Sequence, residues 1–176
     1  KSPAMDSVVL HTNMKSINLY AETLLKTLGK EVKGVGSTEM GAEVVMDWLR
    51  QHDIPTNGLN LEDGSGLSRL NTISAAQMTA ILVLAQQSPY AALFYSSLPT
   101  AGKSGTLKSI GGKTAAEGRV HAKSGSMQKI RSYSGYVEAK NGKQYAFSII
   151  VNNYAASSSV IKKKLEALMV AMVNFQ

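Results

Sequence analysis

The chain has 176 residues, of which 44% are hydrophobic, so it is long enough to bury the core of one domain. It contains no cysteine, which excludes disulfide bonds, thiolate metal sites and cysteine nucleophiles, and no apolar run is long enough to span a membrane. The net charge of +7 arises within residues 103–143, where nine Lys and Arg residues accompany two Glu residues. Such a concentration of positive charge attracts anionic ligands or a polyanionic surface such as that of a membrane. It is equally typical of a solvated lysine-rich face.

The first half of the chain has the 3.6-residue spacing of amphipathic helices. Ser2 and Pro3 are typical of an N-cap and a first helical residue, and they predict a helix that runs to about Met14. A second helix is predicted from about residue 18 to residue 28, with Gly29 as its end. A third helix is predicted to turn four residues toward the core: Val44, Val45, Trp48 and Leu49.

A glycine-rich loop, residues 57–69, separates these helices from a fourth. Ser74 and Gln77 form a capping box at the start of that fourth helix, which predicts its first turn. A second loop is predicted from residue 99 to residue 112, after a further helical turn opened by Pro89.

The pattern changes to short apolar runs and alternation after Arg119, which predicts strands. The predicted strands are 120–124, 134–139 and 144–152. Asn141-Gly142 between the last two is a strong hairpin signal. A last helix, capped near Ser157, is predicted to bury Ile161, Leu165, Leu168, Met169 and Met172. Helices followed by an antiparallel meander and a covering helix indicate the α+β fold class.

The tripeptide Lys-Ser-Gly occurs twice, and only the second copy lies on a predicted strand. The copy that begins at Lys103 falls in a loop, whereas Lys123, Ser124 and Gly125 lie on the strand that leads into the meander. A strand edge can pair with an extended peptide, the lysine supplies positive charge, the hydroxyl binds a carboxylate, and the glycine permits close approach. The context favours the second copy as functional and the first as a turn.

Ser16-Ile17-Asn18 is a weaker signal, because Ser-x-Asn is expected about once by chance in a chain of this composition. Residues i and i+2 of a straight helix do not share a face, so Ser16 and Asn18 reach one cleft only if the helix breaks near Ser16. Asn18 is also a competent N-cap, which is an ordinary structural role and at the same time such a break.

A Ser-x-x-Lys nucleophile belongs at the start of a buried helix, where residues i and i+3 face the same way. The pattern occurs at Ser126 to Lys129, at a strand end, and at Ser159 to Lys162, on a surface helix, about as often as chance predicts. Neither position suits a nucleophile. The three histidines lack metal-ligand spacing, so the sequence predicts no metal site and no cofactor, and the scattered basic residues disfavour nucleic acid as a partner.

Four segments, taken in order, resemble one family: Met14–Glu22 with its Ser-x-Asn, Asp63–Arg69 with Gly-Ser-Gly-Leu-Ser-Arg, Leu98–Leu107, and His121–Ser126 with Lys-Ser-Gly. The family is the class C low-molecular-mass penicillin-binding proteins, which are D-alanyl-D-alanine carboxypeptidase/endopeptidases. The resemblance covers nearly the whole chain, and serine at Ser124 replaces the commoner threonine. It implies the penicillin-binding protein/β-lactamase-like transpeptidase fold, with helices packed on an antiparallel sheet.

The family's Ser-x-x-Lys lies well upstream of its Ser-x-Asn. The resemblance therefore implies that residues 1–176 are the C-terminal part of a single catalytic domain, without the nucleophile helix and the N-terminal strands. It also implies a periplasmic or extracytoplasmic protein whose partners are peptidoglycan peptides, β-lactams and the missing N-terminal part.

By resemblance, three residues are expected to be catalytic (Ser16, Asn18 and Lys123), and three to bind substrate (Ser124, Gly125 and Ser126). Ser16 would relay a proton, Asn18 would hold the substrate's amide, and the backbone N–H of Ser126 would donate to an oxyanion. The implied activity is hydrolysis of D-Ala-D-Ala peptides through an acyl-enzyme on a serine outside this chain. A non-catalytic domain of the same fold, which binds peptidoglycan or a partner, stays open as the alternative.

Overall fold

Five helices precede three strands and a last helix in the computed structural model, which describes residues 3–176. The helices are α1 Met5–Lys15, α2 Asn18–Lys33, α3 Thr38–Gln51, α4 Ala75–Gln87, α5 Ala91–Ser97 and α6 Ser158–Val173. The strands are β1 Val120–Met127, β2 Ile130–Glu138 and β3 Gln144–Asn152, and a short 3-10 turn spans Gly105–Leu107.

The three strands form one antiparallel sheet in the order β1-β2-β3, with Lys123 opposite Ser134 and Gly125 opposite Ser132. One face of the sheet packs against α6 through an apolar core that includes Tyr133, Val137, Leu165, Met169 and Val173. The other face meets α4 and α5 through Leu82, Leu98 and Tyr136, and the Tyr136 hydroxyl donates to the carbonyl of Leu82 at 2.7 Å. Helices on both faces of an antiparallel sheet confirm the predicted α+β class.

Local signals in the sequence account for several element boundaries. The Ser74 side chain accepts from the backbone of Gln77 while the Gln77 side chain accepts from the backbone of Ser74, so the capping box is confirmed. Gly142 has a φ of 81° in the turn between β2 and β3, which confirms the hairpin predicted there. The helix start predicted at Pro3 is wrong, because α1 begins at Met5 with Ala4 as its N-cap; Ser2 lies outside the described residues.

Gly29 does not end α2, which continues to Lys33 and ends at Gly34 with a φ of 79°. Gly29 is buried where α2 crosses α3, and a Cβ atom on it would lie 2.8 Å from the backbone nitrogen of Gly41. The glycine therefore serves a close approach of two helices, which a local stop signal cannot reveal.

Two apolar side chains that were predicted to face the core lie largely in solvent. Trp48 is 41% exposed on α3 and stacks on His52 one turn later, and Leu168 is 50% exposed on α6. On α6 the buried side chains are Leu165, Met169 and Val173. At the C-terminal end of the helix the buried residue is therefore Val173 rather than the predicted Met172. The hydrophobic periodicity predicted both helices, but it did not predict correctly which of their side chains face the core.

Candidate active site

The junction between α1 and α2 brings Ser16 and Asn18 to one side of the molecule. Ser16 ends α1 in the left-handed conformation, with φ 55° and ψ 52°, and Ile17 is extended. The helix therefore breaks at Ser16, as a shared cleft requires. Asn18 is not the N-cap: Ile17 holds that position, and Asn18 is the first helical residue of α2. Its amide side chain is therefore not committed to a capping hydrogen bond.

The edge of β1 that faces away from β2 is only partly covered. The backbone of residues 99–101 pairs with it as far as Ala122, whose N–H donates to the carbonyl of Pro99 at 2.9 Å. Beyond Ala122, no described residue makes a backbone hydrogen bond to this side of β1. Because N–H groups alternate along a strand, those of Ser124 and Ser126 point the same way as that of Ala122. We call this stretch the open edge of β1.

Lys123 joins the two segments. Its ammonium group donates to the hydroxyl of Ser16 at 2.8 Å, across 107 positions of the sequence, and to the carbonyl of Ser124 at 2.8 Å. Burial lowers the pKa of Lys123 below its ordinary value. No carboxylate among residues 3–176 pairs with this half-buried ammonium. It is therefore a standing positive charge at the mouth of a cleft, which favours an anionic ligand there.

Ser124 and Gly125 follow Lys123 along the open edge and line the same cavity. The hydroxyl of Ser124 donates to the Thr106 hydroxyl at 2.8 Å. A Cβ atom on Gly125 would meet the hydroxyl oxygen of Ser132 on β2, so glycine lets the Ser132 hydroxyl keep its present position. Ser126 is exposed just outside the cavity, and its hydroxyl accepts from Arg131 at 3.1 Å.

The glycine-rich loop forms a second wall and is held by Asp63. The two oxygens of Asp63 accept from the backbone of Gly66 at 2.6 Å and of Ser68 at 2.7 Å, and one of them also accepts from the Asn71 amide at 2.9 Å. Although burial raises it, these hydrogen bonds bring the pKa of Asp63 below its usual value. Arg69, at the end of the loop, reaches the turn between β1 and β2 and donates to Gln128 at 3.4 Å.

The two walls enclose a cavity of about 500 Å³. Five of the six predicted site residues line it (Ser16, Asn18, Lys123, Ser124 and Gly125), while Ser126 lies beside it. Deeper in the cavity the lining becomes apolar, with Met78, Leu82, Phe94 and Leu98. Among residues 3–176 there is no group of three or more His, Asp or Glu side chains placed to hold a metal ion.

Sequence reasoning missed three hydroxyl residues of the site. Ser132 and Ser134 line the cavity from β2, and Thr106 contacts Ser124 from the loop. The serines left a signal, since they alternate on a strand whose partner carries the Lys-Ser-Gly segment. Thr106 lies in a segment that carries the family resemblance, but nothing local links its hydroxyl to the Lys-Ser-Gly strand, because only the fold brings it to β1.

A family model that describes the D-Ala-D-Ala carboxypeptidase 3 (S13) family matches residues 1–174. The chain belongs to this family. Similar relatives include the D-alanyl-D-alanine carboxypeptidase of Actinomadura sp. (strain R39), 38% identical over 89% of this chain and 30% of its own length. The penicillin-sensitive carboxypeptidase A of Dictyostelium discoideum is 31% identical over 99% of this chain and 35% of its own length. This S13 chain therefore spans about a third of the length of these relatives.

Solved structures show the same fold. Penicillin binding protein 4 (dacB) from Haemophilus influenzae superposes with a TM-score of 0.87 at 22% identity, over 96% of this S13 chain and 40% of that chain. An extended spectrum β-lactamase, TLA-1, superposes with a TM-score of 0.72 at 14% identity, over 97% of this chain and 63% of that chain. The predicted penicillin-binding protein/β-lactamase-like fold is thereby confirmed.

Proposed function

We propose that the complete protein is a serine-type D-Ala-D-Ala carboxypeptidase or endopeptidase of peptidoglycan, and that this chain forms one wall of its active-site cleft. The observation that carries the proposal is the 2.8 Å contact between the Lys123 ammonium and the Ser16 hydroxyl, made beside the open edge of β1. It places a hydroxyl that can move protons next to a fixed positive charge and a strand that can pair with a peptide. Membership of the S13 family supports this reading.

The nucleophile in this proposal is a serine outside the chain. Its oxygen attacks the carbonyl carbon between the two D-alanines, the C–N bond breaks, and free D-alanine leaves with a proton on its amine. Ser16 hands its hydroxyl proton to the leaving nitrogen and takes up the proton that the nucleophile gives up, and the charge of Lys123 stabilises the Ser16 oxygen between the two transfers. Water then hydrolyses the ester of the acyl-enzyme.

The open edge of β1 holds the substrate in this scheme. The peptide pairs with the backbone at Ser124, whose hydroxyl donates to the terminal carboxylate. The N–H of Ser126 donates to the developing oxyanion, and the exposed amide of Asn18 holds a substrate amide from the opposite side. One oxyanion donor is worth about 2.7–4 kcal/mol of transition-state stabilisation, so the position of Ser126 on the open edge matters more than its side chain.

The rest of the protein completes the sheet in this proposal. In the described part of the chain, β3 pairs with β2 alone, so its outer edge carries unpaired backbone groups. This edge runs over nine residues, Gln144–Asn152, most of them apolar. An edge of this length and composition is a template for further strands, which the N-terminal part of the protein would supply.

Peptidoglycan lies outside the cytoplasm, so we place the protein in the periplasm or another extracytoplasmic compartment. Within residues 3–176, no helix has the length and apolar character needed to cross a bilayer.

Labelling with a fluorescent penicillin tests the proposal on the complete gene product and on this chain alone. We expect covalent labelling of the complete product only. Lys123→Met should lower the labelling rate at least about 10-fold, as loss of a hydrogen bond to a charged group does. Lys103→Met is the matched control, since it alters the same tripeptide in the loop and should leave labelling unchanged.

Two outcomes would overturn parts of this proposal. Labelling of this chain alone would place the nucleophile inside it. Failure of the complete gene product to label, together with binding of peptidoglycan fragments, would favour the non-catalytic alternative. That alternative has one observation behind it: the two Ser-x-x-Lys serines, Ser126 and Ser159, are both exposed and neither lies at the start of a buried helix.

A further inference from the structure

Thr106 lies beside the cleft, where its hydroxyl contacts Ser124, a residue that lines the cavity. The Ser124 hydroxyl donates to its Oγ1 at 2.8 Å, and this is the one side-chain hydrogen bond recorded for Thr106 among residues 3–176. The side chain is exposed, whereas its neighbour Leu107 is completely buried. The core therefore fixes the backbone at this point and leaves the threonine side chain free to face a ligand.

The position of Thr106 is set by the turn that carries it. Gly105 has a φ of 54°, and a Cβ atom on it would lie 2.9 Å from the carbonyl oxygen of Met14 and 2.9 Å from the side chain of Pro99. The turn is thus wedged between the last turn of α1, just before Ser16, and the strand-like segment that pairs with β1. A group held by such packing keeps its geometry without the ligand, which is what a binding site requires.

The Ser124–Thr106 contact uses only one of the two hydroxyl hydrogens. Whichever hydroxyl donates in the 2.8 Å contact, the hydrogen of the other is available for an acceptor in the cleft. An anion can use both groups: Thr106 donates to one carboxylate oxygen, and Ser124 rotates its hydrogen to the other. The ammonium of Lys123, which donates to Ser16 and to the carbonyl of Ser124, supplies the positive potential that favours a carboxylate over a neutral group.

We propose that Thr106 binds the C-terminal carboxylate of the peptide together with Ser124, and that this pair of hydroxyls makes the site select a free carboxylate over its ester or amide. The inference rests on the proposed function, and it adds a binding residue from a loop that the Lys-Ser-Gly segment does not include. It also explains why the loop is packed so tightly against α1 and β1: a small shift of the turn would separate the two hydroxyls.

The test compares benzylpenicillin with its methyl ester in the complete gene product. Thr106→Val removes the hydroxyl and keeps the shape of an exposed side chain. We expect it to lower the second-order rate constant of acylation by benzylpenicillin at least about 10-fold, the size of a hydrogen bond to a charged group, and to change the rate with the ester less than about 2-fold. Thr106→Ser keeps a hydroxyl and should restore most of the rate with the free acid.

Equal loss with both ligands would show that Thr106 only supports the fold, and no loss with either would show that it does not touch the carboxylate; each overturns the inference. Ser124→Val separates these failures from failure of the proposed function. If wild type is acylated and Ser124→Val is not, while Thr106→Val behaves as wild type, only the inference falls. If wild type itself is not acylated, the proposed function falls. The carboxylate contact is then tested by binding: the dissociation constants of a D-Ala-D-Ala peptide and of its C-terminal amide are compared between wild type and Thr106→Val.

Discussion

Gly64 and Gly66 lie two residues apart in the glycine-rich loop, and we predict that they tolerate substitution differently. A Cβ atom on Gly64 would lie 2.8 Å from the carbonyl carbon of Ala21 and 3.1 Å from the Cα of Glu22, on the first turns of α2. Gly66 has open space around it but a φ of 74°. Gly64 is therefore required for space and Gly66 for its backbone conformation.

The expected cost at Gly64 follows from these distances. Carbon atoms in contact prefer about 3.5 Å, so an added methyl group would push the loop away from α2 by about 0.7 Å. That shift would stretch the 2.9 Å hydrogen bond from the Ser65 N–H to the Glu22 carboxylate beyond hydrogen-bonding range. Loss of a hydrogen bond to a charged group costs about 1.5–3 kcal/mol, and the stiffer unfolded chain returns about 0.4–1 kcal/mol. The net loss for Gly64→Ala is about 1–2 kcal/mol.

Gly66→Ala should cost about as much, 1–2 kcal/mol, because alanine is strained at positive φ. Asparagine separates the two causes. It tolerates the left-handed region, so Gly66→Asn should be more stable than Gly66→Ala, whereas Gly64→Asn should be less stable than Gly64→Ala because it is larger. Urea unfolding of the four variants in the complete gene product measures the order. Equal stability of Gly64→Ala and wild type, or the same order of Ala and Asn at both positions, would refute the reasoning.

Three further predictions concern charge and packing. The stability of Lys123→Met relative to wild type, measured by urea unfolding, should be highest near pH 7 and should decline toward pH 10, because burial lowers the pKa of Lys123 and the cost of charging it in the fold is relieved as pH rises through the lowered folded pKa. Asp63→Asn should be less stable than wild type at pH 7, because the lowered pKa of Asp63 contributes stability above its unfolded pKa, and the two proteins should converge as pH falls through the lowered folded pKa. Leu107→Ala should cost about 2–5 kcal/mol of unfolding free energy, because the side chain is fully buried, whereas Leu70→Ala, at a side chain 66% exposed, should stay within about 0.5 kcal/mol; thermal and urea unfolding check both.

The sequence predicted those parts of the fold in which the deciding hydrogen bonds and backbone conformations involve residues close together in the chain. The capping box of Ser74 and Gln77 and the turn at Gly142 need only residues within three positions, and both were predicted correctly. The break at Ser16 was inferred in a different way, from the geometry that a shared cleft demands of residues i and i+2, and the left-handed φ of 55° agrees with it.

The misses have a common physical cause, which is that the deciding partner is distant in sequence. Gly29 was taken for a helix stop, but its reason is Gly41 on the facing helix. Thr106 carried no local signal, because nothing near it in the chain contacts its hydroxyl. Such contacts are tertiary, and a local pattern contains no information about them.

The two Lys-Ser-Gly copies have different roles because they lie in different parts of the fold. In the first, the Ser104 hydroxyl accepts from the backbone N–H of Thr100 at 3.0 Å and so closes a turn, and Gly105 is needed for its positive φ and for space. In the second, Ser124 keeps its hydroxyl at the cleft, and Gly125 leaves room for a serine of the next strand. The copies are not independent, because the turn built by the first places Thr106 against the hydroxyl of the second. A change that loosens the first copy should therefore weaken ligand binding at the second, although its own lysine points away from the cleft toward Gly118.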